Sequence, residues 1–330
     1  MRRRDALKGI GAASAVSITG LAGCTDLFGS SKTWMIPWSE GGGTDQYARQ
    51  LYPLAEEELD ESIQIDNRPG AGSLSGIQWM HTQDGDGSVF GTVNTPSWQF
   101  GWIQEQDERD WDPADFEPIA VTGTFGYVLV VDSDTGIETF SGLQDAYEDG
   151  ELENFAYQGA GHDTHLLSYI LRDDYDVDWE NNVPYDGGGE VQENVISGEA
   201  DAGILTNTSA ADPVADGDLN AVVNLTDSDF DAFPDLEKIS NHGDDLSYIS
   251  EFRLTQVAPP DTPREEREQI AEALEYAATH EETEEWEEDT GNKVVFEDID
   301  EAANDLDGVV DTLEDNVDFE EFEQRVEEDE

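Results

Sequence analysis

The chain has one cysteine, Cys24, among 330 residues, so no disulfide can close within it and no cysteine-based metal site can form. Positive charge is scarce as well, with 15 Lys plus Arg against 79 Asp plus Glu and a net charge of −64. A surface of that sign repels phosphate, which excludes nucleic acid as a partner. Apart from Gly9 to Gly23, no run of residues approaches the roughly 20 apolar positions that a membrane-crossing helix needs. The signatures of turnover are missing too: there is no Gly-x-Ser-x-Gly elbow, no His-Glu-x-x-His and no P-loop. Within Gly72 to Gly76, Ser73 and Ser75 flank Leu74 instead of occupying the centre. An exported hydrolase is therefore the weaker reading; no catalytic residue, cofactor or metal is expected.

What is present begins with an address. Arg2-Arg3-Arg4-Asp5-Ala6-Leu7-Lys8 is basic and carries a twin-arginine pair, and the uncharged stretch behind it ends at Leu21-Ala22-Gly23-Cys24. That tetrapeptide resembles a lipobox. Residues 1–23 thus read as a twin-arginine lipoprotein signal peptide, Cys24 as the lipid-bearing first residue of the mature chain, and 24–32 as a spacer. The expected place is the outer face of the cell membrane, with the chain exported folded and tethered by lipid. The segment before Cys24 carries +3, so the mature chain stands at −67. Molar salt shortens the Debye length to about 3 Å and screens such self-repulsion, so the composition looks haloarchaeal. Wholesale disorder is opposed by 31 aromatic residues and by repeated apolar strands.

The body of the chain repeats one device, in which a strand runs into glycines and a helix follows. Trp34-Met35-Ile36 enters Pro37-Trp38-Ser39-Glu40-Gly41-Gly42-Gly43-Thr44-Asp45. Beyond it Tyr47, Ala48, Leu51, Leu54, Ala55 and Leu59 recur at helical spacing, with Pro53 as a kink. Glycines there let the backbone approach a ligand, Thr44 or Asp45 can cap the helix, and free N–H groups at a helix start favour a carboxylate. Ile63 and Ile65 mark a second strand before Arg68-Pro69-Gly70-Ala71-Gly72-Ser73 and a helix through Ile77, Trp79 and Met80. Val89 to Val93 is a third strand, ending at Asn94-Thr95-Pro96-Ser97. A fresh β-rich run starts near Tyr127 with Tyr127 to Val131. Phe155 to Gln158 then leads into Gly159-Ala160-Gly161-His162-Asp163-Thr164-His165, and Val183-Pro184-Tyr185-Asp186-Gly187-Gly188-Gly189 is a third use of the device. Ala202 to Leu205 and Ala221 to Leu225 complete a second sheet. In the tail, Thr262-Pro263-Arg264-Glu265 has capping-box spacing, another helix is expected from Ile299 to Leu313, and the last Glu-rich residues are expected to fray. Short connections between strands and helices predict α/β structure, with mostly parallel sheets flanked by helices.

Six of these stretches, in one order over nearly the whole mature chain, resemble the tripartite tricarboxylate transporter receptor family, the TctC or Bug type of extracytoplasmic solute-binding protein. They are Pro37 to Asp45, Asn67 to Gly72, Asp86-Gly87, Gly159 to Leu166, Val183 to Gly189 and Ala258 to Pro263. The resemblance implies a two-domain, periplasmic-binding-protein-like flytrap of type II. One domain would hold residues 31–126 plus 240–330 and the other 127–239, with two chain crossings as hinge. It implies that a small organic acid or related carboxylated solute lies in the interdomain cleft and is delivered to membrane transporter subunits. The residues it assigns to the ligand are Trp38, Ser39, Gly41, Gly42, Gly43, Thr44, Asp45, Thr95, Gly159, Gly161, His162, Asp163, Thr164 and Tyr185. A sensor subunit reporting to a signalling partner is the alternative role.

The chain departs from the family where Tyr157, His162 and Asp163 replace small hydroxyl residues and Asp186 stands where Lys is common. Either the cleft takes a ligand with fewer negative charges, or those side chains face solvent. His162 and His165 have a spacing that a metal accepts, but His165 reads better as a packing residue inside its helix. The run Asp227 to Asp231 lacks the spacing of a calcium loop and reads as solvated surface.

Overall fold

The computed structural model describes residues 31–185 and 187–329; the expected signal peptide, Cys24 and Asp186 lie outside the described residues. Within them run the strands β1 (Ser31–Ile36), β2 (Ser62–Asn67), β3 (Val89–Thr95), β4 (Glu117–Asp132), β5 (Asn154–Gln158), β6 (Asn181–Tyr185), β7 (Ala202–Thr206), β8 (Leu219–Asn224) and β9 (Glu251–Ala258). They form one curled sheet in the order β2-β1-β3-β9-β4-β7-β5-β6, with β8 also on β4. Each end of the sheet is parallel, β2-β1-β3 on one side and β7-β5-β6 on the other. The middle is antiparallel, because β9 runs against both β3 and β4, and β4 runs against β7 and β8. Two parallel half-sheets joined by long central strands make the two-lobed α/β architecture that the resemblance implies.

Helices cover both halves: α1 (Gly43–Leu59), α2 (Leu74–His81), α3 (Ser97–Glu105), α4 (Phe140–Glu148), α5 (Asp163–Asp174), α6 (Gly188–Ile196), α7 (Asn207–Asp216), α8 (Ser247–Ser250), α9 (Arg264–Ala278), α10 (Glu281–Thr290), α11 (Ile299–Leu306), α12 (Val309–Asn316) and α13 (Phe319–Asp329). The apolar stripe of α1 is buried through Tyr47, Ala48, Leu51, Leu54 and Ala55. On β4, Leu129 and Val131 belong to one apolar cluster while Val128 and Val130 belong to another, as the two-residue period of a strand requires. Both faces of this half-sheet are thus covered, which is why the segment reads as an unbroken apolar run. All four side chains are fully buried, each worth about 2 kcal/mol relative to an exposed position.

Several local expectations are corrected. The strand expected to start near Tyr127 is the second half of the 16-residue β4. Its first half pairs with β9 and its second with β7 and β8, so one strand passes from half-sheet to half-sheet at Gly126 and Tyr127. Gly126 marks close approach at this crossing, since a Cβ there would lie 2.5 Å from Thr226 Cγ2. β1 starts at Ser31, inside the expected spacer, and Lys32 is buried with its ammonium donating to Gly87 O at 3.0 Å. The capping box before α9 does not form, because the Thr262 hydroxyl donates to Pro259 O and Pro263 takes the cap position. The helix expected from Ile299 to Leu313 breaks at Asp307 and Gly308, where Gly308 has φ +74°. The tail does not fray: α13 runs to Asp329 with Phe322 buried.

Candidate functional site

Five helices, α1, α3, α5, α6 and α7, each start after the carboxyl end of a strand: β1, β3, β5, β6 and β7 respectively. In parallel sheets those ends share a rim, and the first-turn N–H groups of the helices have no acceptor within their own helix. Such a rim offers dipoles and donors to an anion.

The first loop, between β1 and α1, is held by Asp45. Its Oδ2 accepts from Gly41 N–H at 2.8 Å and Arg49 Nε at 2.6 Å, and its Oδ1 accepts from Asn67 Nδ2 at 2.9 Å. Burial alone would raise the Asp45 carboxyl, but the Arg49, Gly41 and Asn67 hydrogen bonds outweigh it and hold it below the usual carboxylate range. Gly42 N–H is also used inside the loop, donating to Ser39 O at 3.2 Å. Asp45 therefore braces the loop from within, while Ser39, Gly41 and Gly42 are exposed. The first-turn amides of α1 belong to Gly43, Thr44 and Asp45. The Thr44 hydroxyl turns to the Asn94 side chain, donating at 3.1 Å and accepting at 2.9 Å. Trp38 is half-buried; its carbonyl accepts from Asn67, and its indole N–H is buried with no acceptor among the described residues.

The second loop, between β5 and α5, is built differently. Gly159 N–H donates to the Tyr185 carbonyl at 2.8 Å, His162 N–H to Gly159 O at 3.1 Å and Gly161 N–H to His165 Nδ1 at 3.1 Å. The Thr164 hydroxyl donates to Gln158 O. His165 stacks on Tyr157 with ring centroids 4.2 Å apart, and both rings are buried beneath the loop, so neither lines the rim. Asp163 is buried at the head of α5, where its Oδ1 accepts from Thr164 N–H at 2.8 Å and from the Tyr127 hydroxyl at 3.3 Å. Burial pushes the Asp163 carboxyl up, opposed by the His162 charge and by hydrogen bonds from Ser97, Thr164 and Tyr127. Burial and then Asp163 itself push the Tyr127 hydroxyl well up.

The two loops sit on facing rims, because the half-sheets run in opposite directions, and do not clasp each other directly. The ring of His162 lies against Gly72, where a Cβ would fall 2.0 Å from its Cε1, and against Gly159 on the other side. Gly43 instead faces the first turn of α7, with a Cβ position 3.3 Å from Thr208 Oγ1. The end of β3 stands beside the first loop, where Asn94 holds Thr44. Thr95 lies apart, its hydroxyl 3.5 Å from that of Thr255, on a hollow of about 230 Å³ that Arg253 and Asp305 also line. Tyr185 contributes its carbonyl to the second loop while its ring packs on the smaller apolar cluster. Sequence reading missed Asn67, Asn94, Ser97, Tyr127, Asn207 and Thr208. For Asn207 and Thr208 a signal existed, a Thr-Asn-Thr-Ser run of capping residues directly after an apolar strand. There Thr206 accepts from Ser209 N–H, and Asn207 Oδ1 accepts from Gly126 N–H at 3.0 Å, tying α7 to the crossing in β4.

Residues 47–307 match the family described as the tripartite tricarboxylate transporter family receptor. A UPF0065 protein of Pseudomonas sp. is 29% identical over 215 residues, which cover 63% of this chain and 61% of that relative's length. A Rhodopseudomonas palustris protein solved with adipate superposes with a TM-score of 0.73 at 18% identity, covering 87% of this chain and 96% of that one. MatC from the same organism, solved with bound malate, gives 0.68 at 19% identity, covering 85% and 98%. At these identities the solved structures share the fold.

Proposed function

Because this chain belongs to the tripartite tricarboxylate transporter receptor family, we propose that it captures a small carboxylated solute between its lobes and delivers it to a membrane transporter of that type. The observation that carries the reading is the meeting of helix starts from the facing rims of the two half-sheets, with His162 against Gly72 and Gly43 against Thr208. The first turn of α1 supplies N–H groups and a favourable dipole for one carboxylate. That local attraction has to act against a net charge of −64, and it can, because hydrogen bonds work at contact range while salt screens distant charges. The buried, unanswered indole N–H of Trp38 is a further donor beside it. The malate and adipate bound by the two Rhodopseudomonas proteins support a carboxylate as the ligand class.

The lobes are assigned as residues 31–126 with 240–330, and 127–239. β4 crosses between them at Gly126 and Tyr127, and the chain returns ahead of β9. A ligand held on one lobe gains contacts with the other only on closure, so binding shifts the open and closed populations by its differential affinity. The closed form docks on the transporter. Cys24 carries lipid, holding the receptor at the outer face of the membrane after export by the twin-arginine route.

A thermal-shift screen of carboxylic acids in molar potassium chloride tests this, followed by calorimetry on the hits. Gly42→Val places a branched side chain beside the first turn of α1, where even a Cβ sits 3.3 Å from Ser39 O. The expected result is affinity reduced by about tenfold or more, some 1.4 kcal/mol. Unchanged affinity in that variant moves the carboxylate away from α1.

A further inference from the structure

We propose that Asp163 sets the charge of the solute: the cleft takes a compound with one carboxylate and, at its other end, a hydrogen-bond donor such as a hydroxyl or ammonium group, and discriminates against dicarboxylates. The inference rests on the receptor reading above. In a cleft with a helix start on each side, a solute with two carboxylates is accommodated when both sides offer donors. Here the second side already has an anion of its own, built into the chain.

Asp163 is the first residue of α5, 4% exposed, and its Oδ1 takes the N–H of Thr164, one of the first-turn amides that a ligand carboxylate would need. The Tyr127 hydroxyl, at 3.3 Å, also donates to this oxygen, while Oδ2 is buried with no hydrogen-bond partner among the described residues. Two further amides of the loop are spent internally, Gly161 on His165 and His162 on Gly159. These amides of the β5–α5 loop are thus directed to Asp163 or to the loop itself. The ring of the neighbouring His162 lies against Gly72 of the other lobe, so Asp163 stands at the meeting of the lobes and not behind one of them. That ring is wedged between Gly72 and Gly159. A second ligand carboxylate arriving here meets a like charge at short range beside a buried side chain, which is the costly case, whereas a donor end meets an acceptor. On the first side Asp45 is also an anion, but Arg49 is paired with it and its oxygens face inward to Gly41 and Asn67, so α1 keeps its first-turn amides.

The test is a calorimetric series in molar potassium chloride with the mature protein. It compares dicarboxylates from malonate to adipate with the ω-hydroxy and ω-amino acids of the same carbon skeletons. The expected result is that donor-ended acids bind more tightly than the dicarboxylate of equal length by about tenfold or more at the preferred length. Asp163→Asn is expected to erase that preference or reverse it, with the thermal melt showing that the variant is folded. A wild-type preference for dicarboxylates overturns the inference without any variant, and so does a folded Asp163→Asn with unchanged selectivity. Binding of none of the series overturns the receptor reading itself, and the inference with it.

Discussion

An aspartate in the first turn of α1, where a carboxylate ligand is to be held, looks out of place until its partners are counted. Asp45 is enclosed by Gly41 N–H, Arg49 and Asn67, so its charge is spent on shaping the loop. Because its folded pKa is depressed, the stability it contributes is present above the unfolded carboxylate value and is lost as pH falls through the folded value. Asp45→Ala is expected to cost about 2 kcal/mol in denaturant unfolding at neutral pH, the scale of a lost charge-assisted hydrogen bond. The deficit relative to wild type should shrink below about pH 4, where the wild-type carboxylate titrates as well. A pH-independent difference between the two proteins removes the carboxylate from the account. The sequence showed Asp45 beside glycines but not that Asn67 reaches it, because that contact joins the loop to the end of β2.

At the scale of elements, the last helix is the one whose role was hardest to read. Phe319-Glu320-Glu321-Phe322-Glu323-Gln324-Arg325-Val326 is crowded with acids and suggests a solvated tail. Yet Phe319, Phe322 and Val326 lie three and four residues apart, which makes one apolar stripe. In the fold, Phe322 packs on Phe100 of α3 and on His165 and Tyr169 of α5, so α13 ties helices from the two halves together. Arg325 adds an ion pair with Asp173 at 2.6 Å and lies over the Tyr169 ring at 4.0 Å. Phe322→Ala should destabilise by about 3 kcal/mol, as a fully buried aromatic does, while Arg325→Ala should cost under about 1 kcal/mol because its partner is well solvated. Equal effects of the two substitutions in chemical denaturation refute the packing role. The same limit explains β4: each half is legible as a strand, but only pairing with β9 on one side and β7 and β8 on the other makes it continuous.

At the scale of the molecule, a net charge of −64 disfavours any compact state, and screening is the remedy available to it. The thermal midpoint is expected to rise steeply as potassium chloride is increased toward molar concentration, and the fold to weaken in dilute buffer. A midpoint indifferent to salt removes self-repulsion as the limit on stability.

The order of strands, glycine loops and helices and the α/β class were legible from the chain alone, because they follow from hydrophobic period and from local backbone chemistry, while the family was carried by the resemblance of six motifs in one order. Which glycine turn faces which helix start, that Asp45 turns inward while Asp163 stands where the lobes meet, and which helices the tail packs on were decided only in three dimensions. Those outcomes depend on contacts between residues far apart in sequence, such as Gly72 with His162 and Phe100 with Phe322, and no local pattern records them.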